Sequence, residues 1–385
     1  MAPTPELVES FDDASPGELV ESMISRPDFG PTIPDLEEGS DFAGPSEWWM
    51  STMHDDRAGF HERMVWFWHG HLTSSIDKAS APMMILQHRL LREHALGDFR
   101  TLLRQITLDP AMLRWLDGDG SEAQAPNENF SRELMELFTL GRHSGAYTED
   151  DVVAGARALA GYWIDGDRLV FEAPRALRRD VTYLGTRVRD VDDVIDTVCD
   201  HPACAPHLVG RLYDHFVGGD LAPSRLGELS QVLVENDLQI EPVVREILLD
   251  PSFVDGPPPR PRAAIEWALA FERLIGDRLD VWTVQALGQM PMQPPNVAGW
   301  PGTDRWLSSG MLLTKGEIAL DHSWDVETLD ETDPVSDVLR RAVLYEVSDD
   351  TLTTLDEVAR SVDGRRERAT LLHAAVAMCP EFSTI

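Results

Sequence analysis

Lysine is nearly missing from this chain: Lys78 and Lys315 are the only two in 385 residues, and every other basic side chain is arginine. Positive charge is scarce overall, with 33 basic against 67 acidic residues and a formal charge of −34. A protein that grips nucleic acid needs clustered Lys and Arg to meet phosphates, so no nucleic-acid partner is expected. An anionic membrane surface is disfavoured for the same reason. The arginine-for-lysine usage reads as a high-GC bacterial or salt-tolerant source.

Cysteine is also sparse. Cys199, Cys204 and Cys379 are too few to staple a chain this long. No apolar run approaches the ~20 residues of a membrane span. The opening Met1-Ala2-Pro3-Thr4-Pro5 lacks the basic and apolar regions of a secretory leader, so the chain as written reads as cytoplasmic. Phosphate-cradling Gly loops, a Gly-x-Ser-x-Gly elbow and His-Glu-x-x-His are all missing, which removes several common enzyme classes.

What is present is a globular composition, 43% hydrophobic with 11 tryptophans, arranged mainly at helical spacing. The expected fold is mainly α: a single large multi-helix domain with a small β-hairpin excursion near 168–185, where Leu169-Val170-Phe171 and Val181–Leu184 are the strand candidates. Three regions are expected: an N-terminal helix and loop over 1–45, a main helical domain over 46–320, and a C-terminal helical extension over 321–385 packed on it. Helices are predicted over 16–26, from Ser46, through His61–Trp68, over Pro82–His94, Asp98–Thr107, 149–163, 191–199, 203–217, 223–235, 240–249, 262–275 and 280–288, and within 335–378. Residues 27–45 read as a Pro/Gly/acidic loop and Pro257-Pro258-Pro259 as a stiff connector.

One device recurs. Arg26-Pro27-Asp28-Phe29, Asp109-Pro110-Ala111-Met112, Asp250-Pro251-Ser252-Phe253 and Cys379-Pro380-Glu381-Phe382 each end a helix with a proline and return an apolar residue two positions later. Proline excludes helical geometry before it and suits the first position of a new turn.

The stretch richest in chemistry is Asn127–Gly141. Asn127 is a helix start and Gly141 a left-handed stop. At about 100° per residue Phe130, Leu134, Leu137 and Phe138 share one face. Asn129, Glu133 and Glu136 line up on the other, with Glu128 and Arg132 beside them. The bland reading is a solvated face with ion pairs at i,i+4, each worth roughly 0.2–0.5 kcal/mol. The functional reading makes Glu128, Arg132, Glu133 and Glu136 catalytic, glutamate acting as acid or base and Arg132 clamping an anionic group, with Asn127 and Asn129 binding ligand.

His69-Gly70-His71 is the candidate metal pair, on the premise that Gly70 lets the backbone turn there; the cofactor would be a divalent metal, completed by Glu128, Glu133 or Glu136. The alternative places both imidazoles near a helix C-terminus. Arg92-Glu93-His94 reads as a structural hydrogen-bond group, and Cys199, His201, Cys204 and His207 are too compressed for a zinc knuckle. The stiff loop Gln293–Trp306 offers Asn296, Trp300 and Trp306, either as a wall of a ligand cleft or as anchors of an ordered loop.

Several blocks, Trp66–His71, Leu90–Phe99, Asn127–Gly141, Tyr147–Val152, His201–Cys204, Gln293–Gly302 with Trp306, and the ending Cys379–Phe382, are similar to the signature blocks of the domain-of-unknown-function 1800 family of bacteria. The blocks span roughly residues 46–382. The family brings no established activity. Its genes commonly neighbour those of a sulfatase-like, often exported family, so the resemblance implies an exported partner and an exported form if the N-terminus is truncated. Two departures stand out: no match to the family's basic, aromatic opening block is found before residue 46, and Arg178-Arg179-Asp180 stands where members tend to carry a His-Asp pair. Two functions follow as expectations: a hydrolase-like cleft using His and Glu on a small-molecule substrate that the sequence does not name, or a non-catalytic helical binding partner of the sulfatase-like protein.

Overall fold

Proline and small polar caps set the helix boundaries of this chain. The structure, a computed structural model, describes residues 3–11, 13–25, 30–32, 34, 43–142, 144–254, 256, 259–300 and 302–385. Helix α1 (Pro5–Glu9) and α2 (Pro16–Ile24) each begin with proline behind a hydroxyl cap, and Ser15 and Glu18 close a reciprocal capping box on α2. Within the described residues α2 ends at Ile24 with Ser25 as its C-cap, inside the predicted 16–26 range, and α1 was not anticipated. Helices α3 (Ala43–His54) and α4 (Gly59–His71) follow, then α5 (Ala81–Glu93), α6 (Phe99–Thr107) and α7 (Pro110–Trp115). Asp98 and Asp109 cap the last two through the backbone N–H of Thr101 and Met112.

The central stretch departs from one continuous α-helix. It folds as α8 (Asn129–Glu133) and then widens into a π-turn over Leu134–Thr139. Helix α9 (Glu149–Ala158) starts on a Thr148/Asp151 capping box, as its sequence indicates, but stops five residues before the expected end. Gly161, at φ +103°, breaks it, and Tyr162–Asp165 turns into a strand.

The β excursion is present and consists of two hairpins. β1 (Tyr162–Asp165) pairs with β2 (Arg168–Phe171), and β3 (Val181–Tyr183) with β4 (Thr186–Val188), both antiparallel. Each strand candidate thus has a near neighbour as partner, since a short turn costs less chain entropy than closing 169 onto 181.

Helices α10 (Val191–Asp200), α11 (Cys204–Phe216), α12 (Pro223–Glu235) and α13 (Ile240–Leu248) lie within two residues of the predicted ranges. They lead to α14 (Pro251–Val254), α15 (Ala264–Ile275) and α16 (Val281–Ala286). No helix or strand occupies 287–300; a 3₁₀ turn, Thr303–Leu307, precedes α17 (Ser309–His322). The C-terminal helices are α18 (Pro334–Arg341), α19 (Asp349–Ser361), α20 (Arg365–Met378) and α21 (Pro380–Ser383). The recurring proline device opens a short new helix each time it is described: Pro110 starts α7, Pro251 starts α14 and Pro380 starts α21. Met112 and Phe382 are fully buried, and Phe253 packs half-buried against the core. The first instance, at 26–29, and most of the Pro-rich connector at 257–258 lie outside the described residues.

The core is tied together by buried indoles. Trp68 donates to the Ala95 carbonyl at 2.7 Å, and Trp267 of α15 donates to that of Ala377 at 2.9 Å, joining α15 to α20. No described helix is long and apolar enough to cross a membrane.

Candidate functional site

Helix α4 keeps its α form through Gly70, so residues 69 and 71 leave it in different directions. This corrects the premise of a turn at Gly70. His69 Nδ1 lies 3.3 Å from His88 Nε2, and its ring packs edge-on to Trp49 and beside Trp300. His71 stacks on Phe67 and reaches the Phe138 carbonyl at 3.0 Å. Both imidazoles are buried, and desolvation lowers the pKa of each, that of His69 to about 3. The metal pair expected from sequence does not converge. Among the described residues no three His, Cys, Asp or Glu side chains are disposed to hold a metal ion. Cys199, His201, Cys204 and His207 fail likewise: both thiols are buried, His201 Nδ1 accepts from Ala203, and His207 donates to the Leu137 carbonyl at 2.8 Å.

What His71 and His207 do is hold the π-turn from behind. Widening to i→i+5 bonding leaves its last carbonyls without partners in the segment itself. Thr139 Oγ1 returns to the Leu134 carbonyl, and the N–H groups of Leu140 and Gly141 share that of Met135. His207 and His71 satisfy the carbonyls of Leu137 and Phe138. Gly141 ends the turn at φ +86°, the left-handed stop read from sequence; a Cβ there would also sit 3.0 Å from His207 Nδ1.

The wider turn undoes the single line of polar groups. Asn127 Oδ1 accepts from the Asn129 N–H at 2.9 Å, an Asx turn at the helix start, and Asn129 Nδ2 donates to the Leu116 carbonyl. Glu128 lies beside Arg132 at 3.4 Å. Arg132 is committed to Glu149 by two bonds of 2.8 Å, a fork the helix face alone did not reveal. Glu136 is held by Arg142 Nε at 3.0 Å, with Arg132 at 3.9 Å. The Tyr147 hydroxyl also bonds Glu136; burial and that carboxylate push the phenol up to about 12.

Glu133 is different. It is 8% exposed, and among the described residues its Oε2 is the one buried carboxylate oxygen with no hydrogen-bond partner. Burial raises its pKa, with Glu136 adding to the effect. Every other buried acid among the described residues is engaged: Glu62 by Arg92 and Trp49, Asp109 by Gln87, Asp250 by Arg225, Glu266 by Arg63 and Arg260, and Glu272 by His54.

The tryptophan loop packs against α4. Trp300 stacks on Trp66 with centroids 4.8 Å apart, and Gly299, at φ +82°, lies so close to Gly70 that a Cβ would come within 3.0 Å of its carbonyl oxygen. Ser46 and Ile76 tie Pro291 and Met292 to the same region. Trp306 is buried, with its carbonyl accepting from Lys315, and exposed Asn296 Oδ1 accepts from the Ala298 N–H. His69 and Trp300 are thus brought together, while the described partners of Glu136 are Arg142, Arg132 and Tyr147. Sequence reasoning missed Arg142, Tyr147 and Glu149, which Gly141 folds back along the helix face. It also missed His88 and the buried Glu62–Arg92 pair, bonded at 2.6 and 3.0 Å; His88 stands four residues before Arg92, on the same side of α5.

No curated protein and no solved structure matches the chain. The profile of a family described as a protein of unknown function, DUF1800, matches residues 1–384 and so reaches past the blocks at 46–382 into the N-terminal segment. With essentially its whole length covered, the chain belongs to the DUF1800 family.

Proposed function

We propose that this protein is a hydrolase-like enzyme that works through its carboxylates, with Glu133 as the group that gives and takes the proton. One observation carries the reading: Glu133 keeps a buried oxygen without a partner while every neighbouring charge is paired. An unpaired buried carboxyl is costly, and only the nearby charges of Arg142 and Arg132, neither bonded to that oxygen, offset it. Its raised proton affinity moves it toward the range useful for general acid–base work. Glu136, fixed by Arg142 and Tyr147, supplies the adjacent negative charge. Arg132 then orders the site through Glu149 instead of clamping substrate, and His71 and His207 position the turn that carries both glutamates.

The test is a panel of chromogenic esters, amides, glycosides and phosphomonoesters offered to the purified protein. Turnover is expected to fall by at least ~100-fold in Glu133→Gln, the usual scale for a general acid–base group. An unchanged rate in that variant overturns the proposal. So does absence of turnover throughout the panel combined with a Glu133→Gln protein that is merely more stable. The rival reading, a binding partner of an exported sulfatase-like protein, instead expects Trp300→Ala to abolish co-purification while Glu133→Gln leaves it intact.

A further inference from the structure

Away from Glu133, a cavity of about 640 Å³ opens between the N-terminal helices and the core. Its walls are apolar: Leu7, Phe11 and Leu19 on one side, Phe60 and Phe216, stacked 5.4 Å apart, on the other. The size lies within the roughly 300–1,000 Å³ of small-molecule sites. The charged side chains on its lining are Arg63, Arg260 and Arg273 against Asp55 and Asp56. Asp55 and Asp56 are taken by Arg57 and Arg273. Arg63 and Arg260 share a single carboxylate, Glu266, at 2.6 and 2.9 Å. Arg262, close enough to feel both, has a buried Nε without a partner. Nearby His215 is buried with Nε2 unpartnered, and desolvation together with these arginines holds it neutral. A chain of charge −34 has therefore set two lining guanidiniums on one acid beside a greasy cavity, with Arg262, over the Phe382 ring, behind them.

That excess of positive charge next to an apolar chamber is complementary to an anionic amphiphile. We propose that the cavity binds a long-chain carboxylate, its alkyl tail against Phe60, Phe216 and the N-terminal helices and its headgroup on Arg63 and Arg260. The site shares no lining residue with the Glu133 cluster, and the inference does not depend on the hydrolase reading.

The experiment is calorimetric titration of the full chain with butyrate, octanoate, dodecanoate, dodecanol and dodecylammonium, each below its aggregation threshold. Dodecanoate is expected to bind saturably, and affinity to rise with chain length toward the limit of about fourfold per CH₂. Dodecanol should be at least ~10-fold weaker, the scale of a charge-assisted bond, and dodecylammonium weaker still. Val8→Trp, which fills the cavity from a half-exposed helix position, should remove binding, and Glu133→Gln should leave it unchanged. Arg63→Met and Arg260→Met, checked for fold by circular dichroism, should erase the preference for dodecanoate over dodecanol. Equal affinity of wild type for dodecanoate and dodecanol overturns the proposal, as does undiminished binding in Val8→Trp or no saturable binding of any long chain.

Discussion

At the scale of single residues, the chain places titratable groups where their charge is costly, and Asp109 is the clearest case outside the candidate site. It caps α7 through the Met112 N–H at 3.0 Å and accepts from Gln87 Nε2 at 2.7 Å, yet burial raises its pKa from 3.8 to about 7. A carboxyl that holds its proton more tightly folded than unfolded favours folding at low pH. That advantage is lost as pH rises through the folded value. At about 1.4 kcal/mol per tenfold change in proton affinity, the penalty above neutrality is on the order of 4 kcal/mol as an upper bound. Asparagine keeps the capping oxygen and removes the charge. Asp109→Asn is therefore expected to stabilise by roughly 1–3 kcal/mol near pH 8, and the gain should vanish near pH 4. Urea unfolding at both values measures it; a pH-independent difference would show that the aspartate's charge is not what costs stability.

At the scale of elements, the π-turn over 134–139 is the feature that decides the candidate site, and it was not legible from periodicity. Leu134, Leu137 and Phe138 fit an α-helical stripe, and nothing in a one-dimensional pattern records that His71 and His207 bond the carbonyls freed by a wider turn. The stop at Gly141, the capping box of α9 and the Asn127 side chain accepting a free N–H were legible, because each is set by neighbours within a few residues, although the helix itself begins two residues later, at Asn129. The Arg132–Glu149 fork and the Trp66–Trp300 stack were not, since they depend on how distant segments return. Reading His69-Gly70-His71 as a turn gave glycine more weight than its helical context: a single Gly costs a helix only about 1 kcal/mol, and buried neighbours on both sides outweigh that. If the imidazole of His71 supports the π-turn, His71→Ala should cost about 2–4 kcal/mol, combining an unsatisfied carbonyl with a cavity beside Phe67. Gly141→Ala should cost more than about 1 kcal/mol, because a Cβ is strained at positive φ and meets His207. Denaturant midpoints test both, and any hydrolytic rate should fall in each variant along with the disordered glutamates.

At the scale of the whole molecule, the net charge of −34 sets a balance that local pairing does not cancel. Most described ion pairs are exposed arginine–carboxylate contacts, such as Arg100 with Asp196 and Asp200 or Arg360 with Asp356, and each contributes little by itself. With twice as many acids as bases, the carboxylates outnumber the cations that could neutralise them even where one arginine serves two, and their mutual repulsion opposes the compact state. Salt acts on the two populations unequally. It weakens exposed pairs, but it also screens the more numerous like-charge repulsions beyond about 10 Å, and the second effect dominates at this imbalance. Buried pairs such as Glu62–Arg92 and Glu266 with Arg63 are shielded from the change. The melting temperature should therefore rise between roughly 0.05 and 1 M NaCl, where the screening length shrinks from well over 10 Å to about 3 Å. Replacing chloride with sulfate would add a preferential-exclusion effect, so NaCl alone is the appropriate titrant. A melting temperature that falls with NaCl would mean that the exposed arginine pairs outweigh the repulsion, and that the arginine-rich basic set is organised as a stabilising network across the surface.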